Sequence, residues 1–432
     1  IHERLVGSEM CIRDRMKDDY VSYRAEARFI RAYCYSMLCD LFGAVPYVDE
    51  NTGVKEIPVQ YTRKQIFEFA ESELLAIENE LKAPGSNEYG RVDRVAGWFL
   101  LARMYLNAQT WINENKYQEA YAYAVKVIAD GHYPLASDYR EIFLADNNTC
   151  KEIIWPLVQD GLRAQSSAGT NFYVKAFVNG PMDELYKTGV GSRGWGNVRA
   201  KVSLVDAFDA DDVMFDGNDT WGNNKKDKRA QFMTALPNQV KDTWDVNMDM
   251  TSTFTCGYGY IKWRNVTKED ELCPSGDAYT SIDFPLFRTA DAYLMAAEAI
   301  LRGANGTQSE ALGYVNEVRT RAYMSGKYAK NGVRSDVSGE ITANELNLDF
   351  LLVERQKELA SELTRRTDLI RFGKYTKGNN WDWKNGVRLG ADVDDKYNLF
   401  PIPESELTNN PTLVQNDGYK VCLLYTSDAA DE

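Results

Sequence analysis

The chain has 432 residues, 44% hydrophobic and 26% charged, which is the composition of a folded globular protein and not of a disordered one. Lys and Arg number 50 against 64 Asp and Glu, and the net charge of −14 argues against sequence-independent nucleic-acid binding and against a polybasic membrane anchor. His2 and His132 are the only histidines, which all but excludes a His-based triad or a multi-His metal site, whereas 9 Trp, 26 Tyr and 17 Phe supply many aromatic rings.

The two ends read as non-native. Residues 4–15 (RLVGSEMCIRDR) and 422–432 (CLLYTSDAADE) resemble in-frame translations of transposase-type sequencing adapters. The natural ends are therefore expected to lie beyond them, and the lack of an opening signal peptide carries no weight. No run of about 18 apolar residues marks a membrane span.

Helical periodicity begins at about 22–42, with Ala25, Phe29, Ala32 and Tyr33, and stops at Gly43-Ala44-Val45-Pro46. Cys34 and Cys39 lie in this helix and read as buried small hydrophobes. Thr62 followed by Gln65 is a capping-box pattern, and Ile66, Ala70, Leu74, Ile77 and Leu81 form one apolar stripe behind it. A third helix, about 93–108, is apolar nearly all round, which predicts burial on several sides. A fourth runs from Tyr117 to Gly131, a C-cap glycine. Small residues recur where helices would cross, which predicts a mainly α, tetratricopeptide-like helical repeat scaffold. Gly, Asn, Asp and Thr then dominate until helices resume at about 291–302, 309–323 and 347–363. The expected division is a non-native lead over 1–19, a helical region over 20–137, a long irregular aromatic-rich insertion over 138–287, a second helical region over 288–420, and a non-native tail over 421–432.

Glu354, Glu358 and Glu362 are spaced i, i+4, i+8, which places them on one face of a helix, with Arg355, Arg365, Arg366, Asp368 and Arg371 nearby. Two carboxylates are what glycoside hydrolysis needs. The favoured reading is instead an ion-pair lattice, because neighbouring arginines keep carboxylates ionised whereas a general acid needs a raised pKa. The acidic run Asp206, Asp209, Asp211, Asp212, Asp216 and Asp219 invites a calcium reading but fails the EF-hand template, since Val213 falls on a ligand position and Gly217 falls one place late. The run is read as a solvated loop. Gly189, Gly191 and Gly194 lack the strand-then-helix context of a nucleotide loop.

Aromatics set among Gly and Asn are harder to explain by packing alone. A flat ring can stack on the apolar face of a sugar while an amide bonds its hydroxyls. Trp195, Trp221, Trp244 and Tyr258, with Asn197 and Asn223, are the expected ligand residues, joined by Tyr47 and Asn51 in the loop after the GxxP turn. No catalytic residue, metal or cofactor is expected.

Six stretches in order complete the reading: YRAEARFIRAYCYSMLCDLFGAVPYV (23–48), GRVDRVAGWFLLARMYL (90–106), RTADAYLMAAEAI (288–300), ALGYVNEVRTRAY (311–323), LLVERQKELASELTRRTDLIRFGK (351–374) and LFPIPESELTNNPTLVQNDGY (399–419). Together they resemble the SusD/RagB family of nutrient-binding outer-membrane lipoproteins of Bacteroidetes-type bacteria. The resemblance implies a SusD-like α-α superhelix and an oligosaccharide ligand captured without cleavage. It implies a SusC-like TonB-dependent transporter as partner, and surface display on the cell outer membrane through a lipid anchor preceding this stretch. Where the family usually has Gly after the third Glu of ERxxELxxE, this chain has Leu363. The alternatives are a glycoside hydrolase on a helical scaffold and a tetratricopeptide-like peptide-binding scaffold.

Overall fold

A capping box starts the helix at Arg63: the Gln65 backbone N–H donates to Thr62 Oγ1 (3.3 Å) and the Thr62 N–H donates to Gln65 Oε1 (2.9 Å). The computed structural model describes residues 17–53, 55–178, 183, 186–213, 225–233, 258–324, 337–381 and 383–419. In chain order its main elements are α1 (Lys17–Leu41), β1 (Val45–Pro46), β2 (Gln60–Tyr61), α2 (Arg63–Ile77), α3 (Arg94–Ile112), α4 (Tyr117–Asp130), β3 (Ile153–Leu157), α5 (Thr170–Ala176), β4 (Phe232–Met233), β5 (Gly259–Tyr260), β6 (Phe284–Arg288), α6 (Thr289–Leu301), α7 (Gln308–Met324), α8 (Leu348–Leu359) and α9 (Arg365–Arg371). The architecture is mainly helical, as the sequence predicts. Among the described residues no helix is long and apolar enough to cross a membrane.

The chain divides into two compact units, residues 1–82, 103–116 and 369–432 in the first and 83–102 and 117–368 in the second. In the first unit α1 packs on α2, and the predicted stripe Ile66, Ala70, Leu74 and Ile77 is buried. β1 and β2 form a short antiparallel pair that closes the loop after the GxxP turn. Cys39 is buried but Cys34 is exposed, which corrects the expectation for Cys34. Five residues along a helix rotate a side chain by about 140°, so the two thiols cannot share a face.

In the second unit, α4 and α6 pack on each other although the whole irregular segment separates them in sequence. Ala120 and Ala124 on α4, and Ala290 and Ala297 on α6, are fully buried small residues. Gly131 follows α4 with φ 78°, the left-handed geometry that ends a helix and that glycine adopts without a Cβ clash. Antiparallel β3 and β6 run side by side, Ile153 opposite Arg288 and Leu157 opposite Phe284, so the irregular segment is clasped at its neck. Its interior is aromatic. Trp263 stacks on Phe284 (5.4 Å between centroids, 10° between planes) and on Tyr173 (5.5 Å, 29°), with Phe143 edge-on at 4.9 Å.

A buried lattice of ions joins this segment to the helices. α8 starts at Asn347, whose side chain accepts from the Phe350 N–H, and it ends at Leu359. Glu354 and Glu358 therefore share a helix, but Glu362 lies beyond the helix end, a correction to the expected 347–363 span. Arg229 donates to Glu354 (2.6 Å) and Asp227 (2.8 Å), and Arg319 donates to the other Glu354 oxygen (2.6 Å). Arg288 reaches Glu362 (2.6 Å), Glu358 (2.7 Å) and Glu152 (2.9 Å); Arg321 reaches Glu152 (2.6 Å) and Glu358. Lys262 pairs with Glu362 and donates to the Ala360 carbonyl (2.7 Å). Arg355 turns the other way, to Asp291 and Asp368 (2.9 Å each). The lattice anticipated around these glutamates is present, but its cations come mainly from outside the motif. Burial would raise the Glu358 pKa, and Arg321, Arg288 and Arg229 outweigh that effect and hold it well below the usual carboxylate range.

Two predictions follow from this geometry. Because the folded pKa of Glu358 is depressed, the stability it contributes is complete above its unfolded value of about 4.3 and is lost as pH falls through the lower folded value. Glu358→Gln leaves buried arginines short of a counter-charge, and urea titration at pH 7 should show a loss of about 3–5 kcal/mol. The gap to the parent should narrow progressively as pH falls below about 4.3, toward the depressed folded value. Leu363 sits at φ 61° with its side chain 69% exposed. A non-glycine residue there costs about 1–2 kcal/mol and glycine's extra chain entropy offsets part of the gain, so Leu363→Gly should raise the unfolding free energy from urea titration by about 0.5–1 kcal/mol.

Candidate functional site

The last carbonyls of a helix lack intrahelical partners. At α5 they are taken by the turn that carries Trp195. The Trp195 N–H donates to the Lys175 carbonyl (2.8 Å), the Asn197 and Val198 N–H groups donate to Ala176 (2.8 and 2.9 Å), and the Gly196 N–H donates to Val178 (2.8 Å). Gly196 makes the turn with φ 60°. Upstream, Asp183 accepts from the N–H groups of Gly191 (2.9 Å) and Val190 (3.2 Å). Gly189 lies so close to the chain that a Cβ there would sit 2.5 Å from the Asn265 carbonyl oxygen.

These contacts frame an open cleft of about 410 Å³ whose lining includes Ser167, Lys175, Ser192, Arg193, Trp195 and Tyr279. Trp195 is 38% exposed, and Phe172, itself exposed, meets it edge-on at 6.1 Å. Arg193 donates through Nε to Asp277 (3.0 Å). Lys175 is buried, its ammonium donates to the Ala278 carbonyl, and it lies 5.8 Å from the centre of the Tyr279 ring. An exposed indole beside hydroxyl, guanidinium and ammonium donors can hold a flat ligand that is apolar on one face and polar at its edge.

The expected site residues separate. Trp195 and Asn197 share the turn just described, Trp195 lining the cleft and Asn197 exposed beside it. Tyr258 is 2% exposed and packs against Phe232 at 6.3 Å in the core, so it has no face to offer a ligand, a correction to the sequence reading. Trp221, Asn223 and Trp244 lie outside the described residues. Tyr47 and Asn51 belong to the first unit. There Tyr47 is stacked on Tyr61 (4.3 Å, 11°) with Phe69 edge-on at 4.9 Å, and Asn51 is exposed in a turn closed on Asp49.

Ser192 and Arg193 fell within a glycine-spaced stretch that carried no ligand reading, although adjacency to Trp195 was a usable signal. Lys175 had no signal in the sequence. Glu354, Glu358 and Glu362, the residues of the hydrolase reading, are buried and ion-paired, far from the chemistry of a general acid. Among the described residues no group of three His, Cys, Asp or Glu could hold a metal ion. Asp212 instead accepts the Lys226 and Asp227 N–H groups (2.6 and 3.1 Å), while Asp216 and Asp219 lie outside the described residues.

Comparison with known proteins gives concordant matches. Residues 151–419 match the SusD family. The chain is 33% identical over 427 residues to the starch-binding protein SusD of Bacteroides thetaiotaomicron, covering 92% of this chain and 73% of that protein. Its fold resembles a SusD-like protein from Bacteroides fragilis (TM-score 0.67, 20% identity, 93% of this chain and 81% of that one). It also resembles surface glycan-binding protein A from Bacteroides thetaiotaomicron in complex with laminarihexaose (TM-score 0.63, 22% identity, 92% and 79%).

The contrast between the two aromatics is measurable. Trp195→Ala should shift unfolding stability by less than about 1 kcal/mol, since its ring is not enclosed, whereas Tyr258→Ala should cost about 3 kcal/mol through the cavity it opens. Thermal or urea unfolding of the two variants side by side is the check.

Proposed function

The chain belongs to the SusD family, and from that premise we propose that it captures oligosaccharides at the cell surface and delivers them uncleaved to a TonB-dependent outer-membrane transporter. Attachment to the outer membrane by a lipid anchor and pairing with a SusC-like barrel are parts of the same proposal, taken from the family. The observation that carries it is the exposed face of Trp195 in an open cleft edged by hydrogen-bond donors. A relative whose name records starch binding and a fold neighbour seen with laminarihexaose support a sugar as the occupant.

The mechanism is capture and release. Ring stacking contributes about 0.5–1.5 kcal/mol beyond area burial, by analogy with aromatic pairs, and a few hydrogen bonds fix the register of the sugar. Affinity is then on the order of micromolar or weaker. Weak binding suits a protein that hands its ligand on.

Titration calorimetry with linear oligosaccharides of about six sugar units tests this. Binding is expected, with Trp195→Ala weakening it about tenfold or more, and chromatography of the incubated sugar should show no shorter product. Equal binding by Trp195→Ala would remove the cleft as the capture site, and released fragments would return the hydrolase reading.

A further inference from the structure

The cleft at Trp195 is unusual in charge for a chain whose net charge is −14. Lys175, 5% exposed, brings an ammonium to its wall, and among the described residues its one hydrogen-bond partner is the neutral Ala278 carbonyl. Burial, and then the neighbouring Arg193, hold the Lys175 pKa below the ordinary lysine value, while Asp277 acts in the opposite direction. Arg193 spends its Nε on Asp277, and among the described residues its two terminal nitrogens carry no partner. Two cations thus face one carboxylate at this wall, and that carboxylate accepts from the guanidinium Nε. Five other buried cations of the same unit, Arg229, Arg288, Arg319, Arg321 and Lys262, each have at least one carboxylate in contact. A buried ammonium beside a guanidinium, short of counter-charge and next to an exposed indole, is a place prepared for an anion on a flat ligand.

We infer that this cleft selects acidic saccharides, with a carboxylate or sulfate ester on the sugar received by Arg193 and Lys175 while Trp195 covers the ring's apolar face. The inference rests on the glycan-capture reading of the cleft and narrows its ligand class. The guanidinium's free edge offers two N–H groups to two anionic oxygens, and the lysine adds a point charge deeper in the wall.

The experiment compares three ligands by calorimetry on the intact chain: a linear tetragalacturonate, the same tetramer as its methyl ester, and a sulfated galactan tetramer. The ester keeps the ring faces and removes the charge. The expected result is that the acid binds about tenfold or more tightly than its ester at about 50 mM salt, with the ratio collapsing near 0.5 M salt as charges are screened. Arg193→Gln should cut the acid-over-ester ratio to about threefold or less, and its exposed position keeps the variant folded. Lys175→Met should cut it further, with circular dichroism confirming its fold. Tighter binding of the sulfated tetramer than of the uronate identifies sulfate as the preferred anion, and the reverse identifies carboxylate. Equal affinity for acid and ester, or a ratio untouched by Arg193→Gln, overturns this inference and leaves neutral glycan capture standing. Failure to bind any of the three, or any neutral oligosaccharide, overturns both.

Discussion

Glu358 sits where three arginines from different parts of the chain converge. Arg229 and Arg288 come from the irregular segment and its closing strand, and Arg321 comes from α7. A carboxylate with essentially no solvent exposure would be a liability in an apolar core, and so would each of these guanidinium groups. Together they form a set in which the loss of any one member leaves its partners with less counter-charge than they were buried with, although each arginine keeps at least one other carboxylate. These pairs tie the irregular segment to the helices of the second unit at Glu358.

Once seated, the segment uses its aromatics in two manners. Trp263, Tyr173, Phe143 and Phe284 interlock as a core, where the described residues of the segment offer only short strands and helices. Trp195 is left out of that core because its turn is tied by backbone hydrogen bonds to the end of α5. The indole therefore stands at the surface through backbone constraint and not through packing. A ligand platform benefits from this arrangement, since a ring held by its main chain keeps its place when the ligand leaves.

The same contrast separates the ions. In the lattice, carboxylates and cations neutralise one another away from water, and the chemistry that two acidic residues could perform is given up for rigidity. At the cleft, cations remain with spare donors near solvent. The charge that matters for recognition is local, and a chain of strongly negative net charge presents a positive wall at one point on its surface.

Several elements were legible in the text of the chain because they depend on neighbours within a few residues. Thr62 and Gln65 make their box within a single turn, Gly131 ends its helix by its own backbone freedom, and the run around Phe99 is buried wherever it falls because it has no polar face. Family membership was legible for a related reason, since six stretches in fixed order retain it. The fate of each ring and each charge was not. Tyr258 and Trp195 look alike among glycines, yet one is enclosed and the other exposed. Glu362 continues a helical spacing past the point where the helix ends, and Lys175 lies on a short helix like any other lysine. Those outcomes depend on which distant strand or turn arrives beside the residue, and the lattice around Glu358 and the clasp of β3 with β6 decide that only when the chain has closed on itself.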